Sequence, residues 1–342
     1  MAAAHPPWIK RPGVIVGLSF LGAGVVAALV WTLSPWPAAL LIRAMFEKGA
    51  ADTVAEMTPY VPDDIDEQLN ISYGDAGSDT TLDIFRPEGS TEPLPTVVWI
   101  HGGAWISGDK SNVDPYVKMI ASHGYTAVSL NYTVSPETTY PTAITQLNDA
   151  LDFLVANASE YGIDPDRFVI AGDSAGANLT SQLALITTNP EYADLVGVEA
   201  ALEPAQLRAV ILNCGIYDVS EIPNAPGIGG WGFRVALWAY LGEKDWSNTA
   251  GGQQMSTLDY VTDRFPATWI SGGNGDPLTA SQSKPLAAKL DELGVGVMSV
   301  FYPEDLTPAL PHEYQFKLNS PEAQTALEST LEFLAAATGA DD

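Results

Sequence analysis

The chain has 342 residues, with 15 lysines and arginines against 42 aspartates and glutamates, a formal net charge of −27, and one cysteine. That balance argues against nucleic acid and anionic membrane surfaces as partners, and the acids read as a solvated surface. A lone cysteine allows no internal disulfide and no cysteine-based metal site; Cys214 follows the apolar run 209–212 and reads as a small core residue.

Residues 1–12 read as an N-terminal tail. Residues 13–33, GVIVGLSFLGAGVVAALVWTL, carry no charge, and at helical rise they match the hydrocarbon thickness of a bilayer. His5, Lys10 and Arg11 precede the run, and Trp31 and Trp36 stand where interfacial aromatics anchor a span. The expectation is one transmembrane signal anchor with the domain beyond it outside the cytoplasm. The alternative is a secreted chain after signal cleavage, although this run is longer than the usual signal core. Residues 34–64 read as a juxtamembrane or cap helix. Leu40, Leu41, Met45 and Phe46 lie near one face of it, which either rests on the membrane or, the more usual outcome, packs over the domain beyond.

From residue 65 to 342 strands alternate with helices. Strands are expected at 71–73, 81–85, 96–100, 126–130, 168–171, 209–212, 267–271 and 297–302, and helices at 113–122, 143–156, 175–186, 285–293 and 322–336. This order predicts an α/β domain with a mostly parallel sheet covered on both faces. The interval 220–263, rich in glycine and tryptophan, breaks the alternation and reads as an insertion over one edge of the sheet.

The run VIAGDSAGANL, residues 169–179, places Ser174 between Gly172 and Gly176 where a buried strand turns into a helix. A turn that tight needs flanking residues without side chains, and it lifts the serine hydroxyl clear of the sheet beside the helix N-terminus. Of four histidines only His312 follows Ser174. In this architecture the chain order is serine, acid, histidine, so His312 is the candidate base. Asp276, in the loop 272–277 directly after a strand, is the favoured acid, with Asp218 as runner-up. His101-Gly102-Gly103-Ala104-Trp105 follows the strand 96–100. Its small residues let backbone N–H groups approach a developing oxyanion, and the amide of Ala175 adds a donor. His101 reads as a holder of that loop rather than a base.

The segments HGGAW (101–105), NYTVSPE (131–137), GDSAGANL (172–179) and GNGDPL (273–278), with His312 ahead of Tyr314 and Phe316, resemble the α/β-hydrolase superfamily from about residue 65 to the end. Within it they are similar to the hormone-sensitive-lipase-like carboxylesterases. The resemblance implies an α/β-hydrolase fold and a Ser174–Asp276–His312 triad. It implies oxyanion donors among Gly102, Gly103, Ala104 and Ala175, and a cap made by the N-terminal helix and the 220–263 insertion. Three positions depart from the pattern: Ala104 replaces a third glycine, Asn131 stands where aspartate is common, and Ala177 follows the elbow. Alanine still offers its N–H, so ester chemistry is unaffected, while the subfamily and substrate stay open.

The expected activity is hydrolysis of a small-molecule carboxylic ester through an acyl-enzyme, with no cofactor and no metal. Trp105, Tyr132, Trp231, Phe233 and Trp238 are candidates for an apolar pocket. Three other readings stay open: an amidase or peptidase with the same triad, a non-catalytic binding protein on this fold, and a membrane-bound protein handling lipid esters. Sequence leaves the oligomeric state open. Of the sequons at Asn70, Asn131, Asn157 and Asn178, two lie in motifs that must stay buried or functional, which argues against glycosylation there.

Overall fold

The computed structural model describes residues 19, 24, 28–224 and 227–339. Helix α1, Trp36–Met57, opens with Pro37 in its first turn, where the missing N–H costs nothing, and ends at Thr58-Pro59. The chain then forms β1 (Ile65–Ser72), β2 (Thr81–Pro87), β3 (Leu94–Ile100), α2 (Asp114–Ala121), β4 (Thr126–Leu130), α3 (Thr142–Ala156), β5 (Ile163–Asp173) and α4 (Ala175–Thr188). After β6 (Leu207–Asn213) come α5 (Gly227–Leu241), β7 (Ala267–Gly272), α6 (Lys284–Glu292), β8 (Val297–Phe301) and α7 (Pro321–Thr338).

The eight strands form one sheet in the order β1-β2-β4-β3-β5-β6-β7-β8. Pairings β1–β2 and β2–β4 are antiparallel, and all the others are parallel. Central strands are covered on both faces, which is why they read as unbroken apolar runs. One face packs Val98, Ile170 and Val210 under Leu147, Leu151, Leu183 and Leu290 of α3, α4 and α6. The other packs Trp99, Val169 and Ile211 under Val117, Ile120, Ala326 and Phe333 of α2 and α7. The parallel strands β3, β5, β6 and β7 end in register at Ile100, Gly172, Leu212 and Ile270. The loops beyond these positions therefore share one edge of the sheet, where ligands bind in open α/β sheets.

The expected mostly parallel α/β sheet is present, with two differences at the amino end. Strand β1 begins at Ile65, ahead of the expected 71. It is an edge strand whose residues 66–70 are exposed and, apart from Leu69, polar, so hydropathy does not reveal it. Helix α1 packs on the domain through Ala38, Ala39 and Ile42, which meet Val235, Ala236 and Ala239 of α5. Leu40, Leu41, Met45 and Phe46, expected to supply the packing face, stay exposed. Among the described residues no helix is long and apolar enough to cross a membrane. Most of the expected span 13–33 lies outside the described residues.

The 220–263 interval forms a helical layer of α5 and shorter helical turns at Trp246–Asn248, Ala250–Met255 and Thr257–Asp259. Together α1 and α5 roof the edge at which β5 ends.

Candidate active site

Ser174 is the single residue between β5 and α4, held at φ 52° and ψ −117°. A side-chain-bearing residue reaches that conformation only when its surroundings enforce it. The surroundings are backbone: a Cβ on Gly176 would collide with the carbonyl oxygen of Ile100, and one on Gly172 with the backbone of Gly176. The Ser174 amide donates to the Asn213 carbonyl at 2.8 Å, tying the turn to the end of β6.

Three loops then converge. The Ser174 hydroxyl lies 2.9 Å from Nε2 of His312, and Nδ1 of His312 lies 2.7 Å from Oδ2 of Asp276. Asp276 is buried, and its second oxygen accepts the Leu278 amide at 2.9 Å. The acid and histidine loops are pinned to each other: the Gly275 amide donates to the Leu310 carbonyl, and the Leu310 amide to Oδ1 of Asn274, both at 2.8 Å. Asp218, the runner-up, instead accepts from the amide and hydroxyl of Ser220. Burial by itself would lower the pKa of His312. The Asp276 hydrogen bond and the charges of Glu313, Asp276 and Asp173 outweigh it and push the imidazole up to about 9.

The loop after β3 lies over this site. His101 is buried, its Nδ1 sits 2.8 Å from the Gly102 carbonyl, and its ring stacks on Tyr132 at 4.5 Å. Burial pushes its pKa down, in keeping with a neutral, loop-holding role. The amide of Gly102 is committed: it donates to Oδ2 of Asp173 at 2.9 Å. It is therefore not available as an oxyanion donor in this arrangement, contrary to the sequence expectation. The amides of Gly103 and Ala104 donate to no acceptor among the described residues. That of Ala175 opens α4, where no intrahelical partner exists.

The carboxylate of Asp173 also accepts the Trp99 indole N–H at 2.8 Å. Burial, then the nearby Glu313 charge, raises its pKa well above the usual carboxylate range. Glu313 itself has φ 57° and brings Oε1 to 3.7 Å from Nε2 of His312. Sequence reasoning missed both acids, since neither type nor spacing distinguishes them from surface carboxylates.

A cleft of about 340 Å³ opens above Ser174 and His312. Of the five aromatics expected to line it, only Phe233 does; its other apolar walls include Met45 and Phe46 of α1, Val113 and Phe316. Trp105 is fully buried, stacked on Tyr240 at 5.4 Å. Tyr132 is buried and donates its hydroxyl to the His101 carbonyl at 3.1 Å. Trp231 packs at the α1–α5 contact. Trp238 lies under the Lys244 ammonium, 4.5 Å from its ring centre, in a separate hollow. An aromatic serves a core and a cleft equally well, and composition alone does not separate the two. Helix α1 carried a readable signal in its 3.6-residue pattern, but not the register that sets Met45 and Phe46 at the cleft wall.

Among the described residues, one group of possible metal ligands clusters: Cys214, Asp276 and His312, with ligand atoms within 4.8 Å of one another. Two of these atoms already bond to each other. Burial, then the Asp276 charge, drives the Cys214 thiol well above its usual pKa, which disfavours the thiolate that metals require.

The BD-FAE family model matches residues 82–290. Esterase LipQ of Mycobacterium tuberculosis is 30% identical over 235 residues, which cover 67% of this chain and 54% of LipQ. The chain thus spans about half the length of that relative. Versiconal hemiacetal acetate esterase of Dothistroma septosporum is 31% identical over 296 residues, 85% of this chain and 86% of that protein. Among solved structures, esterase B of Lactobacillus rhamnosis superposes with a TM-score of 0.75 at 25% identity, over 89% of this chain and 96% of its own. With the elbow, the sheet order and the family match all over the same residues, the chain belongs to the α/β-hydrolase esterase family that the BD-FAE model describes.

Proposed function

We propose that this chain is a serine carboxylesterase acting through Ser174, His312 and Asp276. The observation that carries the reading is the unbroken chain of contacts from hydroxyl to imidazole to buried carboxylate, 2.9 and 2.7 Å long, at the floor of an apolar cleft. Neutral His312 takes the Ser174 proton through Nε2 as the hydroxyl attacks the ester carbonyl. Asp276 fixes the tautomer through Nδ1 and stabilises the imidazolium. The amides of Gly103, Ala104 and Ala175 face the developing oxyanion, and each such donor is typically worth on the order of a hundredfold in turnover. The imidazolium then protonates the departing alcohol, and water releases the acyl group by the reverse sequence. Phe233, Met45 and Phe46 enclose the acyl or alcohol chain. Esterase names among the relatives support the same chemistry.

The test is a chain-length series of aryl esters set beside matched anilides, with Ser174→Ala as control. Ester turnover that disappears in the variant supports the proposal. Preferential anilide cleavage points to an amidase, and no turnover of either points to a binding protein.

The charge-free residues 13–33 support a second element of the proposal, a single membrane anchor with the catalytic domain outside the cytoplasm. Alkaline extraction of membranes from expressing cells, with mapping of the mature N-terminus, tests it. An intact N-terminus in the extracted pellet supports an anchor, and a mature start near residue 40 supports secretion.

A further inference from the structure

At about 100° per residue, α1 presents one side to the domain and another to its surroundings. Ala38, Ala39 and Ile42 face the domain, and Phe46, Gly49, Ala50 and Thr53 continue that side into the cleft wall. Trp36, Leu40, Leu41 and Ala44 occupy the opposite half of the first three turns, Met45 sits at the boundary between the two sides, and all five are exposed. Leu29, Val30 and Leu33, on the helical turns before α1, are exposed as well. The Lys244 ammonium ties these turns to the α5 layer by a hydrogen bond to the Thr32 carbonyl.

Charge is distributed in the same way. From residue 13 to residue 46 the sequence holds one charged side chain, Arg43. Arg43 turns inward, bonding Glu137 at 2.7 and 2.8 Å, the Ile106 carbonyl at 2.7 Å and the Ser135 carbonyl at 2.9 Å. Immediately beyond, Glu47, Lys48, Asp52 and Glu56 return the outer face to charge. The apolar surface therefore stops at one level of the helix, at Met45 and Phe46, and both of these exposed residues also line the cleft. A soluble helix facing water carries polar residues there. An apolar face that is continuous with a charge-free run and ends at a sharp polar boundary suits the acyl layer of a bilayer.

We propose that the outer face of α1, from Trp36 to Met45, lies in the acyl–headgroup boundary of a membrane, with the cleft mouth at the lipid surface, and that the substrate is an acyl ester dissolved in that membrane. This rests on the esterase reading. A long acyl chain reaches Ser174 past Met45 and Phe46 without crossing water. The net charge of −27 selects a zwitterionic rather than an anionic surface.

The experiment uses the full chain with phosphatidylcholine vesicles. Wild type is compared with Leu40→Glu/Leu41→Glu, neither of which lines the cleft. Two substrates are measured, a water-soluble short-chain aryl ester and a long-chain acylglycerol carried in the vesicles. Cysteine is also introduced at position 40 by Leu40→Cys, or at the exposed α7 position by Glu332→Cys, and labelled with an environment-sensitive fluorophore; the native Cys214 is buried. Soluble-ester turnover within about twofold of wild type shows that the double variant is folded, and vesicle-ester turnover is expected to fall by at least about tenfold. The probe at position 40 is expected to be quenched by a bilayer-embedded quencher and the probe at 332 not. Equal vesicle-ester rates in the two proteins, or an unquenched probe at position 40, overturn the membrane contact. Wild type without soluble-ester turnover overturns the esterase reading instead, and the probe then decides the surface independently.

Discussion

His312 is where charge decides chemistry. Its pKa of about 9 arises because the Asp276 hydrogen bond, then the charges of Glu313, Asp276 and Asp173, outweigh the cost of burying the cation. General-base function needs the neutral ring. The kcat/KM for a soluble ester is therefore expected to climb with pH through neutrality and level off only in the alkaline range. Glu313→Gln removes a negative charge 3.7 Å from Nε2. The imidazolium loses that support, so the acid limb of the profile is expected to move to lower pH; a limb that stays in place would show that Glu313 does not act on the base. The same residue shows where sequence reading ends. Ser174 was legible because a serine between two glycines after a strand has few structural explanations. His312 was legible because only one histidine follows it. Glu313 and Asp173 were not, because their roles come from contacts made between loops after β3, β5 and β8, which no local pattern encodes.

At the level of elements, α1 is held to the body by few but strong bonds. Arg43 supplies four hydrogen bonds, two of them to a carboxylate, and the small residues Ala38 and Ala39 allow close approach to α5. Arg43→Ala is expected to lower stability by about 1–3 kcal/mol. Because α1 walls the cleft and, among the described residues, makes no hydrogen bond to Ser174, His312 or Asp276, KM for the soluble ester is expected to rise more than kcat falls. A purely proportional loss of kcat with KM unchanged would contradict a substrate-walling role for α1. The strands and helices of the sheet were legible because doubly covered parallel strands are apolar from end to end. The register of α1 was not, since Leu40, Leu41 and Phe46 are more apolar than Ala38 and Ala39, and only the three-dimensional contact with α5 selects the smaller pair and Ile42 as the packing face. The aromatic pocket failed for a related reason: Trp105, Tyr132 and Trp231 were taken up by packing, and Trp238 by Lys244.

Across the whole molecule, segments distant in sequence are tied by buried polar groups rather than by apolar packing alone. Lys110, in the stretch following the His101–Trp105 loop, pairs with Asp83 of β2 at 2.6 Å with both side chains buried, and also reaches Oδ1 of Asn70 at 3.0 Å. Oδ1 of Asn131, the position that departs from the family pattern, accepts the Lys110 amide at 2.6 Å, and its side-chain amide donates to Asp109 at 3.0 Å. Removing one partner of a buried pair strands the other charge, so Lys110→Ala is expected to cost about 3–5 kcal/mol by denaturant unfolding at neutral pH. A loss below about 1 kcal/mol would place the pair in effective contact with water. The proposed function requires the sheet and the roof of α1 and α5 to present an activated Ser174. The most direct measurement is reaction of the full chain with a fluorophosphonate ester, read by peptide mass mapping beside aryl-ester turnover. The expected result is one phosphonyl group per chain, on Ser174, with parallel loss of turnover and markedly slower labelling in His312→Ala. Label on another residue, or full turnover with Ser174 modified, would contradict the assignment.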